Sequence, residues 1–260
     1  MKASQSARSR QQAIVKHLRS VGRAHVDELV NLFRATPQTI RKDLKALATE
    51  GSALRFHGGA SLVAGNEYTE IETRALIASE QKDQIGRIVA ARVPNNSSVL
   101  LNAGTTTAAV VTHLAGHAGL SIATDSVDLA AILRRYVGVD VMVPAGIVRA
   151  SDGAIVGSQA VDFIRNFRAD IGIIGAAAIG EDGSLLDYDL REASVATAMI
   201  KSARTVILVA DASKFGRSAP VRFGHLTDID LLAIDKGCPD DLRELCLEAG
   251  VELLQPAAGA

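Results

Sequence analysis

The sequence contains only two cysteines in 260 residues, and it has no long hydrophobic run. Cys238 and Cys246 lie near the C-terminus without a partner pattern of cysteine or histidine, so they support neither a disulfide framework nor a zinc site. A membrane-spanning helix needs about 20 apolar residues in a row, and a signal peptide needs an apolar core near its start. Neither pattern is present, and we therefore expect a soluble, cytoplasmic protein without a structural metal.

Nucleotide-binding patterns are absent as well. The sequence has neither the G-x-G-x-x-G pattern of dinucleotide-binding folds nor a Walker loop. Gly172 and Gly175 lie inside an apolar run, where close packing explains them better than a nucleotide does. The six histidines show no metal-ligand spacing. The sequence therefore assigns no cofactor, no metal ligand and no catalytic nucleophile.

Charge is divided unequally along the chain. The whole sequence carries a net charge of −1, yet residues 1–60 contain eleven basic and four acidic residues, a net charge of +7. The remainder of the chain consequently carries −8. This division predicts a small module that binds a polyanion, joined to a larger module that avoids it.

Three helical patterns follow one another in the basic module. Apolar residues allow one buried face in a first helix over 10–18, and they repeat at intervals of three and four residues in a second helix over 26–33. Thr36 is suited to cap a third helix, and Pro37 is suited to its first position, where the missing N–H is not needed. The spacing predicts a helix-turn-helix arrangement.

The third helix has the composition of a DNA recognition helix. Its predicted buried stripe consists of Ile40, Leu44 and Leu47. Its opposite side holds Gln38, Arg41, Lys42 and Lys45. Arginine and glutamine can make bidentate contacts to base edges in the major groove, and lysine mostly contacts phosphates. On the helix alone, a solvated basic face on an ordinary helical bundle remains the alternative.

A short hairpin is predicted directly after this helix. Residues 53–57 have the pattern of a strand, and Gly58 and Gly59 have that of a turn. Such a wing would bring Arg55 and His57 close to the DNA backbone. The hairpin therefore favours a winged helix-turn-helix over the plain bundle.

These residues resemble the DNA-binding signature of the DeoR family of bacterial transcriptional regulators. The resemblance rests on the run from Ala35 to Leu44 and on the pattern L-x-x-x-G-x-x-x-R-x-H-G-G-A that ends at Ala60. It implies that residues 37–44 form the recognition helix and residues 55–59 the wing. The expected DNA-contacting residues are Thr36, Gln38, Thr39, Arg41, Lys42, Lys45, Arg55 and His57.

The rest of the chain predicts an α/β domain. Short apolar runs alternate with helical segments, which is typical of a parallel sheet covered by helices on both faces. The runs lie at 99–101, 120–123, 139–143, 171–174, 206–209 and 229–234. We expect residues 1–62 to form the winged helix-turn-helix domain, residues 63–79 a linker, and residues 80–260 the effector and oligomerisation domain.

Three loops that follow these strands carry polar groups suited to a small anion. Parallel strands end at one edge of the sheet, so the loops are expected to meet there. The candidate effector-binding residues are Asn102, Gly104, Thr105, Thr106, Thr124, Asp125, Ser126 and Lys214. A glycine and free N–H groups at a helix N-terminus suit a phosphate. Ordinary helix capping remains an alternative for the first two loops taken singly, and a solvated surface lysine remains the alternative for the loop that holds Lys214. Together the loops favour a phosphorylated metabolite.

The second module also resembles the DeoR family, whose effector domain is similar to the ribose-5-phosphate isomerase and CoA-transferase fold and senses phosphorylated sugars. Motifs at 182–186 and 213–217 are most similar to members that control glycerol metabolism, which implies glycerol 3-phosphate as the effector. The resemblance also implies that residues 104–106 hold the phosphate and that Lys214 approaches the sugar. The chain departs from the usual family pattern at Asn102, Asp125 and Ala145.

The resulting expectation is a transcriptional repressor that is relieved by its ligand. A homodimer or homotetramer would place two recognition helices on a palindromic DNA operator, and the effector would favour a conformation that no longer fits it. Alternatives stay open: a regulator for a different sugar phosphate, or a second domain that serves only oligomerisation. Another is a sugar-phosphate isomerase-like enzyme with an appended DNA-binding domain, whose general base would come from Asp125, Glu192 or Asp211.

Overall fold

The structure, a computed structural model, describes residues 7–21, 23–49, 53–56, 58–61 and 71–257. The chain divides into two compact units, residues 1–69 and residues 70–260. Of the described helices, none is long and apolar enough to cross a membrane.

The first unit combines three helices with a small antiparallel sheet. In chain order its described elements are α1 (Ala7–Val21), β1 (Arg23–His25), α2 (Val26–Phe33), α3 (Pro37–Thr49), β2 (Leu54–Phe56) and β3 (Gly59–Ser61). Strand β3 pairs with both β1 and β2, which gives the order β1-β3-β2. The three predicted helices and the hairpin are confirmed. Strand β1 was not predicted, because three residues are too short to show a periodic pattern.

Helix α3 begins where the sequence signals place its start. The hydroxyl Oγ1 of Thr36 accepts a hydrogen bond from the backbone N–H of Thr39 at 3.2 Å, which satisfies one of the donors left free at a helix N-terminus. The predicted apolar stripe is buried. It shares one core with residues of α1 and α2, namely Ile14, Leu18 and Leu29.

The second unit contains long and short strands that alternate with helices. Its strands are β4 (Ser98–Leu101), β5 (Leu120–Thr124), β6 (Val139–Met142), β7 (Ile147–Val148), β8 (Ile155–Val156), β9 (Ala169–Gly175), β10 (Ala178–Ile179), β11 (Ser184–Asp187), β12 (Ala203–Val209), β13 (Val221–His225), β14 (Leu231–Ala233) and β15 (Glu252–Leu254). Its helices are α4 (Ile71–Leu76), α5 (Ser79–Ala90), α6 (Thr105–Thr112), α7 (Val127–Leu133), α8 (Ser158–Arg165), α9 (Leu190–Ser202) and α10 (Asp240–Ala249).

Seven of these strands form one parallel sheet in the order β15-β14-β12-β9-β4-β5-β6. Both of its faces are buried, as the continuous apolar runs predict. Along β12, Val206 and Leu208 join the core on one face, and Ile207 and Val209 join the core on the other. The six predicted strands are all present, and β15 is an edge strand that was not predicted.

The order of strands reverses at the centre of the sheet. From β4 the chain proceeds through β5 and β6 on one side, and from β9 it proceeds through β12, β14 and β15 on the other. Open α/β sheets bind ligands outside the carboxyl ends of the strands at such a reversal. The connections that contain the β7–β8 hairpin and the small β10-β11-β13 sheet leave from that same edge.

Helix α6, which starts at this edge, is positioned by α5. A Cβ atom at Gly86 of α5 would lie 2.5 Å from the carbonyl oxygen of Ala109, so only glycine allows the two helices to pack this closely. Part of the predicted linker is also ordered here. Residues 71–76 form α4, which contacts α6, while residues 62–70 lie outside the described part of the chain.

Candidate functional site

The predicted DNA-contacting residues of α3 share its outer face. Four of them are exposed side chains, namely Gln38, Arg41, Lys42 and Lys45. At the start of the helix, the hydroxyls of Thr36 and Thr39 are bonded to each other at 2.8 Å. Arg55 belongs to β2, and His57 lies outside the described residues. The described face is therefore basic, regular and accessible.

An acidic residue on the inner face of α3 orients this helix. Asp43 is buried, and its carboxylate accepts hydrogen bonds from Arg10 Nε at 2.6 Å and from Gln11 Nε2 at 3.0 Å. Both donors belong to α1, so Asp43 holds the first helix against the third. Sequence reasoning missed the role of Asp43 because this residue was considered only as one of the acidic residues in the net charge of residues 1–60.

In the second unit, Asn102 joins the two central strands where the sheet order reverses. Its Oδ1 accepts the N–H of Gly175 at 2.8 Å, and its Nδ2 donates to the carbonyl of the same residue at 3.3 Å. Asn102 follows β4, and Gly175 ends β9. The buried amide therefore fixes the crevice between these strands, and both of its polar atoms are engaged in doing so.

Asp125 holds the loop that precedes α6. Its Oδ1 accepts the backbone N–H of Ala103 at 2.6 Å, and its carbonyl accepts the N–H of Ile155 at 2.6 Å. Burial, reinforced by the negative charge of Glu192, raises the pKa of this carboxyl to about 8. Asp125 therefore carries its proton through most of the neutral range.

Thr124 and Ser126 act on the turn between β5 and α7. The hydroxyl of Thr124 accepts the N–H of Ser126 at 3.2 Å, and Ser126 Oγ accepts the N–H of Leu129 at 3.3 Å. Both residues are buried. Their hydroxyls thus shape the turn and cap α7, which is the alternative that sequence reasoning left open for this loop.

Gly104, Thr105 and Thr106 form the start of α6 at the reversal point. The first N–H groups of a helix have no acceptor within the helix. Among the described residues, the hydroxyls of Thr105 and Thr106 have no hydrogen-bond partner, whereas Thr107 Oγ1 donates to the carbonyl of Gly104 at 2.9 Å. Backbone donors, two hydroxyls and the positive end of the helix dipole thus converge, and together they suit an anion.

Lys214 lies in the turn after β12, on the other side of the same edge. Asp211 begins this turn and accepts the N–H of Ser213 at 3.1 Å. Burial lowers the pKa of Lys214 to about 8, the charge of Asp211 opposes this, and three further cations lower it again. We call these cations together with Lys214 the basic cluster: Arg74, Lys82, Lys214 and Arg217.

The basic cluster places several like charges close together in a partly buried region. Asp211 offsets part of this charge. Repulsion among the remaining cations would be relieved by an added anion, and a region of positive charge also attracts anions from solution. The cluster is therefore a candidate for the electrostatic half of an anion site, and the N-terminus of α6 is a candidate for the hydrogen-bonding half.

A second charged group centres on Arg149, which follows β7. Its guanidinium donates to Asp152, to Asp189 at 3.1 Å and to Glu192 at 2.6 Å. We call these four residues the Arg149 cluster. Burial, followed by the negative charge of Asp187, raises the pKa of Glu192 to about 7. The cluster ties the β7–β8 connection to the start of α9, and both follow the carboxyl ends of strands of the sheet.

Sequence reasoning missed Arg74, Lys82 and Arg149. None of them follows a predicted strand, which was the signal used to find the other candidates. Arg74 lay within the presumed linker, and Lys82 precedes the first predicted strand. Each is an isolated charge in the sequence that gains its neighbours through tertiary structure. Within the described part of the chain, no cluster of histidine, cysteine and acidic side chains could hold a metal ion.

The two units together define a class of protein, in which a helix-turn-helix unit and a parallel-sheet α/β unit share one chain. Residues 10–65 match the DeoR-like helix-turn-helix domain, and residues 77–236 match the DeoR C terminal sensor domain. The protein belongs to the DeoR family.

Similar proteins include two glycerol-3-phosphate regulon repressors. The one from Haemophilus influenzae is 42% identical over 86% of this chain and 87% of that protein. The one from Escherichia coli K12 is 36% identical over 94% of this chain and 97% of that protein. Among solved structures, ribose 5-phosphate isomerase A from Methanocaldococcus jannaschii superposes with a TM-score of 0.40 at 13% identity, covering 53% of this chain and 55% of that one. A likeness of that size supports no functional argument.

Proposed function

We propose that this protein is a DNA-binding transcriptional repressor whose operator binding is relieved by a phosphorylated metabolite, with glycerol 3-phosphate as the first candidate. One observation carries the proposal: in a chain with an exposed basic face on α3, the N-terminus of α6 and Lys214 of the basic cluster follow strands β4 and β12 at the same carboxyl edge of the sheet. The relatives named glycerol-3-phosphate regulon repressors support both the class and the choice of effector.

On the DNA side, α3 enters the major groove. We assign Gln38 and Arg41 to base edges, because their side chains can form bidentate hydrogen bonds there. The residues assigned to phosphates and to the flanking backbone are Thr36, Thr39, Lys42, Lys45, Arg55 and His57. The protein acts in the cytoplasm as a homodimer or homotetramer, so that two copies of α3 meet the two half-sites of a palindromic operator.

On the effector side, the candidate residues divide into contacts and supports. Gly104, Thr105 and Thr106 hold the phosphate through the N-terminus of α6, and Lys214 pairs with its charge. The remaining candidates hold these contacts in place through the hydrogen bonds described above, and they are Asn102, Thr124, Asp125 and Ser126. A pocket built in this way is rigid before the ligand arrives, which limits the entropy lost on binding.

The isomerase-like enzyme is the less favoured alternative. Its candidate bases are already engaged: Asp125 bonds to Ala103, Glu192 bonds to Arg149, and Asp211 bonds to Ser213. Each of these hydrogen bonds gives the carboxylate a role in holding its loop or helix in place. The named relatives are likewise repressors, which makes the chain a regulator rather than an enzyme.

The test is thermal unfolding of the full-length protein with glycerol 3-phosphate, ribose 5-phosphate and fructose phosphates. A ligand that binds only the native state adds about 2.7 kcal/mol at a hundred times its Kd, which raises the melting temperature by several degrees. Thr105→Val removes one proposed contact, and Thr112→Val is its control, because Thr112 is an exposed threonine at the far end of the same helix.

We expect wild type and Thr112→Val to respond equally to one of these ligands, and Thr105→Val to respond much less. Equal responses in all three proteins would place the phosphate elsewhere. A response to a sugar phosphate other than glycerol 3-phosphate would keep the class of regulator and change its effector. No response to any of them would contradict the proposed class of effector.

A further inference from the structure

Helix α4 brings an arginine to the boundary between the two charged groups of the site. Arg74 Nη2 lies 3.7 Å from Asp152 Oδ2, on the side of the Arg149 cluster. Arg74 also belongs to the basic cluster, where its charge acts on Lys82 and Lys214. Lys214 follows β12, whereas Asp152 lies beyond β5 and β6 in the chain, so Arg74 lies near polar groups from both halves of the sheet.

The backbone of α4 is tied to the same cluster. Lys82 is buried, and its Nζ donates to the carbonyl of Arg74 at 2.6 Å and to the carbonyl of Ile77 at 2.7 Å. The last carbonyls of a helix have no partner within it, and a cation placed there satisfies them. The position of α4 therefore depends on a lysine that is itself part of the basic cluster.

The guanidinium of Arg74 has hydrogen-bond donors without partners among the described residues. Its separation from Asp152 exceeds hydrogen-bond length, and Asp152 already accepts two hydrogen bonds from Arg149. Among the described residues, the buried Nε of Arg74 has no hydrogen-bond partner, while 31% of its side chain is exposed. Arg74 is therefore a charged donor with a weak partner and a partly exposed side chain, and it can bind a better acceptor.

Taking the effector site proposed above as its basis, we propose that Arg74 binds the phosphate of the effector and couples the site to the DNA-binding unit. The phosphate accepts hydrogen bonds from the guanidinium, which exchanges its long contact with Asp152 for a charge-assisted bond. Helix α4 moves with it. Helix α4 is the first described element of the second unit, so of that unit's described elements it lies nearest in the sequence to the DNA-binding unit.

This exchange provides the difference between the two states that any ligand-driven change requires. A ligand shifts a conformational equilibrium only as far as its affinities for the two states differ. In the free state, Arg74 is attracted by Asp152. In the bound state, it is attracted by the phosphate beside Lys214, and α4 occupies a different position.

The experiment compares Arg74→Gln with a matched control, Arg92→Gln, in the full-length protein. Arg92 also pairs with one carboxylate, Glu252, at 2.8 Å. Glu252 is the first residue of β15, so this pair lies at the amino ends of the strands, away from the carboxyl ends where the effector site is proposed. Calorimetry measures the Kd of glycerol 3-phosphate and of inorganic phosphate, and fluorescence anisotropy measures operator affinity with and without saturating glycerol 3-phosphate. The melting temperature without ligand reports folding, and Arg74→Lys tests whether charge alone restores binding.

We expect Arg74→Gln to weaken effector binding about tenfold to hundredfold, the range for a lost hydrogen bond between charged groups. Operator affinity without effector changes little, because the contact of Arg74 with Asp152 in the free state is longer than a hydrogen bond. Saturating effector releases less DNA than in wild type. The effector affinity of Arg74→Lys lies between those of Arg74→Gln and wild type. Arg92→Gln has the effector affinity and the DNA release of wild type.

Two outcomes would overturn the inference alone. One is wild-type effector affinity and wild-type DNA release in Arg74→Gln, and the other is an equal loss in Arg74→Gln and Arg92→Gln. If the wild-type protein itself binds neither glycerol 3-phosphate nor inorganic phosphate, then the proposed effector site fails, and the role of Arg74 fails with it.

Discussion

The charged groups on the outer face of α3 are exposed, whereas those of the proposed effector site in the second unit are mostly buried or partly buried. On α3, the polar groups are exposed, belong to one helix and follow one another within eight residues, from Gln38 to Lys45. In the effector site, they come from α4, α5, α6 and several loops, and most are buried or partly buried. The outer face of α3 can be predicted from the local sequence, whereas the proposed effector site is formed by residues that only folding brings together.

This difference determines what each charge does for the protein. An exposed charge costs little to keep in water and contributes little to stability, so its role is in binding. A buried charge must be paired, and its loss leaves its partners without compensation. Substitutions on α3 should therefore change DNA binding and leave folding intact, whereas substitutions at the Arg149 cluster should change folding first.

The largest expected effect is at Arg149. Its side chain is 11% exposed and pairs with three carboxylates. Arg149→Ala therefore leaves the half-buried Glu192 without its cation, and it leaves Asp152 and Asp189 with only Arg74 and Arg191. Breaking such a buried group costs about 3 to 5 kcal/mol. Urea unfolding of the full-length protein measures the loss.

The control for this variant is Arg165→Ala, which removes an exposed pair with Asp162 at 3.3 Å. Exposed pairs of this kind contribute less than about 1 kcal/mol. Similar unfolding midpoints for the two variants would contradict the distinction between buried and exposed charge.

A smaller effect that depends on pH is expected at Asp125. Its pKa in the folded protein, about 8, lies above the value of an unfolded aspartate. The carboxyl therefore contributes its full stability below the unfolded pKa, and this contribution is lost as the pH rises toward 8. Asp125→Asn removes the dependence and retains an oxygen that accepts from Ala103.

Between pH 6 and 7.5, wild type should lose up to about 2 kcal/mol relative to Asp125→Asn, since each unit of pH contributes about 1.4 kcal/mol for one proton. Paired unfolding curves at both pH values measure this difference. Parallel behaviour of the two proteins would show that Asp125 is ionised in the folded state.

The smallest expected change in stability is on α3, where the effect is on DNA. Arg41→Ala should weaken specific operator binding by about 1 to 3 kcal/mol and relax sequence preference at one position, because it removes a base contact. Lys42→Ala should weaken binding to all sequences and reduce the salt dependence by about one phosphate contact. Both variants should unfold like wild type.

Anisotropy titrations at two salt concentrations separate these two roles. A loss of equal size on specific and unrelated DNA for Arg41→Ala would assign Arg41 to phosphate rather than to a base. A reduced melting temperature in either variant would contradict the view that this face serves binding alone.

The same contrast explains how much could be predicted from sequence. The cap at Thr36, the stripe from Ile40 to Leu47 and the exposed basic side follow from the period of a single helix, and each was predicted. The parallel sheet was predicted from its apolar runs. The loops after β4, β5 and β12 were chosen as the candidate site because ligands bind at the carboxyl ends of parallel strands.

What sequence reasoning missed depends on contacts between distant residues. Asn102 reaches Gly175 over 73 positions, and Arg149 reaches Glu192 over 43. The local pattern around Arg74 indicates a polar linker, and only the packing of α4 beside the site gives this arginine its neighbours. No local period encodes such pairings, because they arise from the order of strands in the sheet.

The most direct test of the account is the affinity of the full-length protein for an operator selected in vitro, measured with and without saturating glycerol 3-phosphate at fixed salt. The account predicts tight binding without the ligand and a loss of about tenfold or more with it, the size of an ordinary allosteric coupling. Operator binding that is unchanged by glycerol 3-phosphate and by every other sugar phosphate tested would contradict the central claim that the second unit controls the first.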